Sequence, residues 1–287
     1  MSRAVALVTG ATSGIGRAAA RHLAAAGLHV VVVGRTPEKA AAAAAAVAAR
    51  RAGTVDALAA DFADLAQVRA LAAEAERRLD RLDVLVNNAG TIPAARTLSP
   101  EGVESAFAVN HLAPFLLTAL LQPLLVRSAP ARVVTVASTA HERGTLDFDD
   151  LAFEHRFRPF RAYARSKLAN VLFATELARR LQGTGVTSNA FDPGLVRTKL
   201  GRGNGALRDL AWAVTHVVHR GSAQTPDEAG AALAHLCTAP DLATTTGAYF
   251  RGRRRAAASA AGQDPVLAGR LWTVSEALTG RSAAPVG

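Results

Sequence analysis

Eight residues, Thr9-Gly10-Ala11-Thr12-Ser13-Gly14-Ile15-Gly16, restrict this chain more than any other stretch. Ahead of them Ala4-Val5-Ala6-Leu7-Val8 is short, apolar and β-prone; behind them Arg17 to Ala26 is alanine-rich and helical. Three glycines therefore stand where a strand turns into a helix, the context that a phosphate-binding turn requires. Glycine lets the backbone come close to a pyrophosphate, and the exposed N–H groups and positive end of the new helix face the anion. The spacing is Gly-x-x-x-Gly-x-Gly rather than the commoner Gly-x-Gly-x-x-Gly, so alone the turn fits plain strand-to-helix geometry equally well. Residues further along decide between the two.

Strand-like and helical runs alternate along the chain, which favours one α/β domain built on a parallel sheet. The strands read as 4–8, 29–33, 55–59, 83–86, 133–137 and 186–191, and the β-branched run Val30-Val31-Val32-Val33 fits a sheet covered on both faces. No Pro/Ser/Gly-rich linker divides the first 250 of the 287 residues, and this length can bury one large core. The alanine run 40–46 is low in complexity, yet alanine is the best helix former, so the run reads as helix.

A net charge of +10 raises the question of nucleic acid, but the excess is scattered arginine with only three lysines, Lys39, Lys167 and Lys199. No aromatic residues interleave with the basic ones as single-strand binders need, so no nucleic acid partner is expected. The dense run Arg251-Gly252-Arg253-Arg254-Arg255 reads as a solvated tail segment. The single cysteine, Cys237, allows no internal disulfide and reads as a buried helical thiol; no metal site is expected. A first strand at residue 4 leaves no room for a signal peptide or membrane anchor ahead of it, and no later apolar run reaches the ~20 residues that span a bilayer. The expectation is a soluble, cytoplasmic protein.

In open parallel sheets, ligands bind outside the carboxyl ends of the strands. Strand two ends in Gly34-Arg35-Thr36, with glycine where a dinucleotide carrying a free ribose 2′-hydroxyl calls for an acid. The arginine beside it suits a 2′-phosphate, so the expected cofactor is NADP (NADPH). Asp61 follows strand three, beside Phe62, where a carboxylate accepts from the adenine amino group, while Asp64 reads as a helix N-cap. Strand four runs into Asn87-Asn88-Ala89-Gly90, whose small residues admit a flat ligand; Asn87 serves ligand or loop backbone equally well. Ser138 leaves strand five, and Asp192-Pro193-Gly194 ends strand six.

Tyr163 and Lys167 are four apart on a predicted helix and share one face. An ammonium roughly 5 Å from the phenol, at an effective dielectric of ~20, is worth about 3 kcal/mol, some two pKa units toward use as an acid or base near neutral pH. Ser138 offers a hydroxyl donor to a carbonyl oxygen. Asn110, set among apolar neighbours, is a costly polar group unless something uses it, and a water leading to Lys167 is one such use.

Taken in order, Thr9-Gly10-x-x-x-Gly14-Ile15-Gly16, Asp61, Asn87-Asn88-Ala89-Gly90, Asn110, Ser138, Tyr163-x-x-x-Lys167 and Pro193-Gly194 resemble the short-chain dehydrogenase/reductase family over about residues 4 to 250. Asp147-Phe148-Asp149-Asp150-Leu151, Pro159-Phe160-Arg161-Ala162-Tyr163, Ser166-Lys167-Leu168-Ala169-Asn170 and Gly247-Ala248-Tyr249-Phe250 are similar to its retinol-dehydrogenase-like branch. Ala137 stands before Ser138 where that branch often has a second serine, and the amino-terminal membrane segment of many animal members is absent, so retinoid specificity does not carry over.

The resemblance implies a single-domain Rossmann fold, a doubly wound parallel sheet of about seven strands with helices on both faces, over residues 1–250. It implies that Tyr163 gives its proton to the substrate oxygen, Lys167 lowers the tyrosine pKa and holds the nicotinamide ribose, Ser138 orients the carbonyl and Asn110 anchors a relay water. Gly10, Thr12, Ser13, Gly14, Ile15 and Gly16 would hold the pyrophosphate and Arg35 the 2′-phosphate. Asp61 and Phe62 would flank the adenine, Asn87, Ala89 and Gly90 would line the adenosine side, and Pro193, Gly194, Val196 and Thr198 would close on the carboxamide. Substrate choice falls to a lid over 195–225 bearing Trp212 and His216, with His141 as a further pocket residue. The extension 251–287 is expected to pack on or near the lid through Leu271-Trp272. The partner is a small carbonyl or alcohol of apolar character; a homodimer or homotetramer through the helices bearing Asn110 and Tyr163 is left open. Two alternatives use the same residues, a redox-neutral epimerisation or elimination and a non-catalytic NADP-binding protein. Both Tyr163 and Lys167 are present, which speaks against the second.

Overall fold

Residues alternate between the two faces of each strand, and β1 (Val5–Thr9) shows what that alternation is for. Val5 and Leu7 enter one hydrophobic core, while Ala6 and Val8 enter another on the opposite side of the sheet. A strand that is apolar at every position has both faces covered, and the computed structural model, which describes residues 3–49, 53–197 and 223–281, is built this way throughout. The sheet has eight strands, one more than expected, in the order β3-β2-β1-β4-β5-β6-β7-β8. They are β2 (His29–Gly34), β3 (Val55–Ala59), β4 (Val84–Asn87), β5 (Ala131–Val136), β6 (Val186–Asp192), β7 (Tyr249–Arg251) and β8 (Arg254–Ala256). The first seven run parallel; β8 closes a hairpin on β7 and is antiparallel. The order reverses between β1 and β4, and the crevice at that switch point is where ligands enter such sheets.

On one face α1 (Gly14–Ala25), α2 (Pro37–Ala48) and α6 (Pro226–Thr238) bury Leu23, Val47 and Leu233. The alanine run is the body of α2, started by Pro37 and by Thr36, whose hydroxyl accepts from the Lys39 N–H at 3.4 Å. Cys237 is buried in α6. The other face carries α3 (Leu65–Arg78), capped by Asp64, then α4 (Ser105–Arg127), α5 (Pro159–Arg180) and α7 (Pro265–Thr279). The expectation that no apolar run reaches spanning length is corrected by α4. It is 23 residues long and holds an 18-residue window with a mean hydropathy of 1.5, long and apolar enough to cross a bilayer, but 72% of that window is buried inside the fold. It is hydrophobic all round because sheet and helices enclose it.

The arginine run at 251–255 is solvated, as expected, but it is a strand hairpin and not a tail. Arg251 and Arg254-Arg255 belong to the β7–β8 hairpin, and α7 lies on α4 and α5. Leu271 and Trp272, expected against the lid, are buried among Phe115 and Phe173, with the Trp272 ring 4.9 Å from that of Phe115. Arg180 lies 4.3 Å over the same indole. That side of α5 and of the turn in α4 is thus covered by α7.

His111 joins α4 to α7. Its Nε2 donates to Ser275 Oγ at 2.8 Å, since the serine proton goes to the Leu271 carbonyl, and Nδ1 has no partner. Burial pushes its pKa down to about 3 from 6.5. A folded pKa depressed below the unfolded value means that the neutral ring is required, so stability is complete above about 6.5 and drains away as pH falls toward about 3. Urea unfolding at neutral and acid pH should show this slope, and His111→Gln, which keeps a donor for Ser275, should flatten it. An unchanged slope in the variant would assign acid lability to other groups.

Candidate active site

Thr9 and Asn88 shape the glycine-rich turn. Thr9 Oγ1 accepts from the N–H of Asn88 at 2.9 Å and of Ala89 at 3.0 Å, and donates to the Val86 carbonyl at 3.1 Å. The Asn88 amide donates to the carbonyls of Thr9 (2.8 Å) and Gly10 (3.2 Å), so the exits of β1 and β4 are sewn together. This closeness forbids a side chain at Gly16, where a Cβ would strike the Asn88 amide and stand 2.5 Å from the Gly10 carbonyl oxygen. Gly10 and Gly14 take positive φ, 63° and 56°. Ser13, the N-cap of α1, makes no side-chain cap bond, and the first turn carries no acid. Its N–H groups are therefore not spent on a carboxylate or hydroxyl of the chain, and a cradle of that kind fits a phosphate.

Asn87 departs from expectation. Its side chain is buried and donates to Thr118 Oγ1 at 2.9 Å, toward α4 and away from the crevice. Asn88, the next residue, is the one whose side chain faces the glycine-rich turn. The Phe62 ring likewise belongs to the core under α3, leaving only its backbone at the crevice. At the end of β2, Arg35 is exposed and its Nε lies 3.9 Å from Asp61 Oδ2, which brings the two expected adenosine-side residues together. Gly34 is fixed by packing as well: a Cβ there would stand 2.7 Å from Thr12 Cγ2 and 3.0 Å from the Ala40 nitrogen. A carboxylate cannot simply be placed at 34, and Arg35 is the position at which charge can be exchanged.

Asn110 lies in a π-helical turn of α4, Ala108–Leu112. Its amide donates to the Thr91 carbonyl and to Ser166 Oγ, each at 2.9 Å, and its oxygen accepts from the Thr91 N–H at 2.7 Å. The costly buried amide is thus used to hold the loop after β4 against α5, and one Oδ1 lone pair remains for a water. Gly90 closes this corner: a Cβ there would lie 3.3 Å from Asn110 Oδ1 and 3.8 Å from Lys167 Nζ.

Ser138 follows β5 with Oγ accepting from the Ala140 N–H at 3.2 Å, and its hydroxyl is near enough to Tyr163 to favour the phenolate. Lys167 is buried, its Nζ donating to the Val136 carbonyl at 2.8 Å and standing 5.6 Å from the Tyr163 ring centre. The sequence places lysine and tyrosine correctly but misjudges the sign of the phenol's shift. Burial pushes Tyr163 up to about 12, Ser138 opposes this, and Asp192 pushes further up. Burial also brings Lys167 down to about 8, with Asp192 acting the other way. For the phenol, the loss of water on burial is the largest cause and sets the sign.

His141, expected in the pocket, is fully buried beneath it. Nε2 accepts from the Ser259 N–H at 3.1 Å, which leaves Nδ1 to donate to the Ser138 carbonyl at 2.7 Å; no ring nitrogen remains for a substrate. Pro193 is buried, Gly194 takes a φ of 71°, and Val196 pairs with Gln224. Thr198, Trp212 and His216, with most of the expected lid, lie outside the described residues.

Residues 4–207 match the short chain dehydrogenase family. The chain is a short-chain dehydrogenase/reductase. It is 38% identical over 291 residues to human retinol dehydrogenase 13, covering 98% of this chain and 86% of the relative. It is 40% identical over 278 residues to DnrU of Streptomyces sp. (strain C5), named as a candidate daunorubicin C-13 ketoreductase, covering 96% and 93%. These relatives set this short-chain dehydrogenase/reductase in the retinol-dehydrogenase-like branch. A crystal structure of a Mycobacterium paratuberculosis protein is similar with a TM-score of 0.77 and 32% identity over 99% of this chain and 95% of that one. RhlG of Pseudomonas aeruginosa, solved with NADP, is similar with a TM-score of 0.68 and 30% identity over 86% and 94%. The dehydrogenase/reductase is therefore an oxidoreductase that moves hydride between a nicotinamide cofactor and a CH–OH or C=O group.

The two adjacent asparagines give a test. Asn88→Ala removes the clamp on the turn and should weaken binding of the nicotinamide cofactor about tenfold, the worth of one or two hydrogen bonds, at little cost to stability. Asn87→Ala removes the buried bond to Thr118 Oγ1, which keeps its own bond to the Pro114 carbonyl, and should lower the unfolding free energy by about 1 kcal/mol with binding intact. Fluorescence titration and urea unfolding separate the two, and equal binding loss in both variants would contradict the assignment.

Proposed function

We propose that this enzyme is an NADPH-dependent reductase of ketones or aldehydes of apolar character. The observation that carries the reading is the meeting of the Ser138 hydroxyl, the Tyr163 phenol and the buried Lys167 ammonium at the exit of β5. Gly10 to Gly16 bind the pyrophosphate, Arg35 the 2′-phosphate and Asp61 the adenine edge. The backbone of Ala89 and Gly90 lines the adenosine side, and Pro193 to Val196 face the carboxamide. Lys167 holds the ribose. The bound nicotinamide supplies the hydride.

Ser138 donates to the substrate carbonyl, and Tyr163 delivers its proton to the same oxygen. A phenol held up to about 12 keeps its proton at neutral pH, and an alkoxide, about as basic as hydroxide (water ~15.7), takes it readily. This favours reduction over oxidation at neutral pH. Asn110 anchors the water that returns a proton toward Lys167 and Tyr163. Phe160 is exposed one turn before Tyr163 on α5 and offers an apolar surface to the substrate.

Purified protein should oxidise NADPH with some member of a panel of aromatic and aliphatic carbonyls. Tyr163→Phe should lower turnover by at least about 10²-fold, the range for a lost general acid, with NADPH binding preserved. Normal turnover in the variant, or product formed without any change in cofactor absorbance, would reject the reading.

Cofactor choice rests on Arg35, whose planar donors suit a phosphate. Arg35→Ala should weaken NADPH about ten- to a hundredfold and leave NADH nearly unchanged. Because Gly34 is closed by Thr12 and Ala40, Arg35→Asp is the substitution that should turn preference toward NADH. Equal loss of both cofactors in Arg35→Ala would place selectivity elsewhere.

A further inference from the structure

The arginine run at 251–255 has no role in the chemistry above, yet its first member reaches a buried acid. Asp192 is fully buried at the end of β6, with Oδ2 accepting from the Tyr249 hydroxyl at 2.8 Å and Oδ1 from the Gly194 N–H at 2.9 Å. Arg251 Nε lies 3.4 Å from Asp192 Oδ2, and its Nη2 donates to Glu142 Oε1 at 2.8 Å. Tyr249 also packs its ring 5.0 Å from His141, the residue that holds the Ser138 carbonyl. Register brings this network to the site: Val136, whose carbonyl takes the Lys167 ammonium, pairs with Phe191, and the Ala137 N–H bonds the Phe191 carbonyl at 2.7 Å. Asp192 therefore stands level with the strand exit that carries Ser138.

We propose that Asp192 is a positioning residue for the Ser138, Tyr163 and Lys167 centre, and that Arg251 sets how much of its negative charge that centre feels. The carboxylate fixes the Gly194 turn by a hydrogen bond and acts on Tyr163 and Lys167 through space. Both are shifted up by Asp192, the phenol because a nearby anion opposes phenolate and the amine because it favours ammonium. The ionisable groups facing Asp192 are Tyr249 and Arg251 from β7 and Tyr163 and Lys167 from α5, with Glu142 beyond Arg251 and His141 beyond Tyr249. The proposal rests on the reading of Tyr163 and Lys167 as the acid–base pair.

The test uses Asp192→Asn, which keeps an acceptor for Gly194 and loses the charge, and Arg251→Gln, which unmasks the charge. The chain has only two tyrosines, so in full-length protein labelled with 13C at tyrosine Cζ, Tyr249→Phe identifies the Tyr163 resonance. In alkaline titration short of unfolding, Tyr163 should ionise at lower pH in Asp192→Asn and at higher pH in Arg251→Gln. Each displacement should be roughly one pH unit, the order expected of a unit charge several ångströms away at an effective dielectric of ~20. The pH profile of kcat/KM for NADPH with 4-nitrobenzaldehyde should move in the same two directions. Shifts in one direction only, or none in either variant, would overturn the proposal. Failure of the underlying reading looks different, since it appears as full turnover in Tyr163→Phe whatever the resonance does.

Discussion

One backbone carbonyl holds the site together. Val136, the last residue of β5, accepts from Lys167 Nζ at 2.8 Å and from Asn170 Nδ2 at 3.1 Å, so two consecutive turns of α5 are tied to one strand end. A buried ammonium is costly unless it is paired, and here the pairing is obtained from a peptide group that the sheet has already fixed in place. With Lys167 anchored, Tyr163 one turn earlier stands over the exit of β5, and Ser138 meets it there. Asn110 reaches the same helix through Ser166, so loop, π-turn and α5 converge on this corner.

Much of this was legible in the sequence because it depends on local rules. Strand-to-helix transitions rich in glycine mark a phosphate turn, an interval of four on a helix brings tyrosine and lysine to one face, and continuous apolar strands announce a sheet buried on both sides. The order of the motifs then named the family before any coordinates did. Even the alanine run in α2 followed from propensity.

What escaped the sequence depends on contacts between distant segments. Asn87 and Asn88 are chemically identical, and which one faces the turn is decided by strand parity: Asn87 points at Thr118 and Asn88 at Thr9. Gly34 reads as a missing acid, but its other reason for being glycine is the approach of Thr12 and the start of α2. Neither signal is visible without the third dimension. Leu271 and Trp272 read only as apolar residues in a tail; their partners, Phe115 and Phe173, are some hundred residues or more earlier. His141 carried no sequence mark of burial, because its two partners come from the strand exit before it and from Ser259 near the end of the chain.

The pKa of Tyr163 shows how geometry and solvation compete. A Coulomb estimate between two side chains on one helix face predicts a lowered phenol, and the distance it assumed is close to the 5.6 Å found. The outcome has the opposite sign because the same burial that brings the pair together removes the water that would stabilise phenolate, and because Asp192 adds a second anion to the balance. A tyrosine so placed is a reluctant base and a dependable proton donor. On the proposed reading, this biases the chemistry toward giving a proton to a developing alkoxide, and what moderates that bias is the charge Arg251 leaves on Asp192.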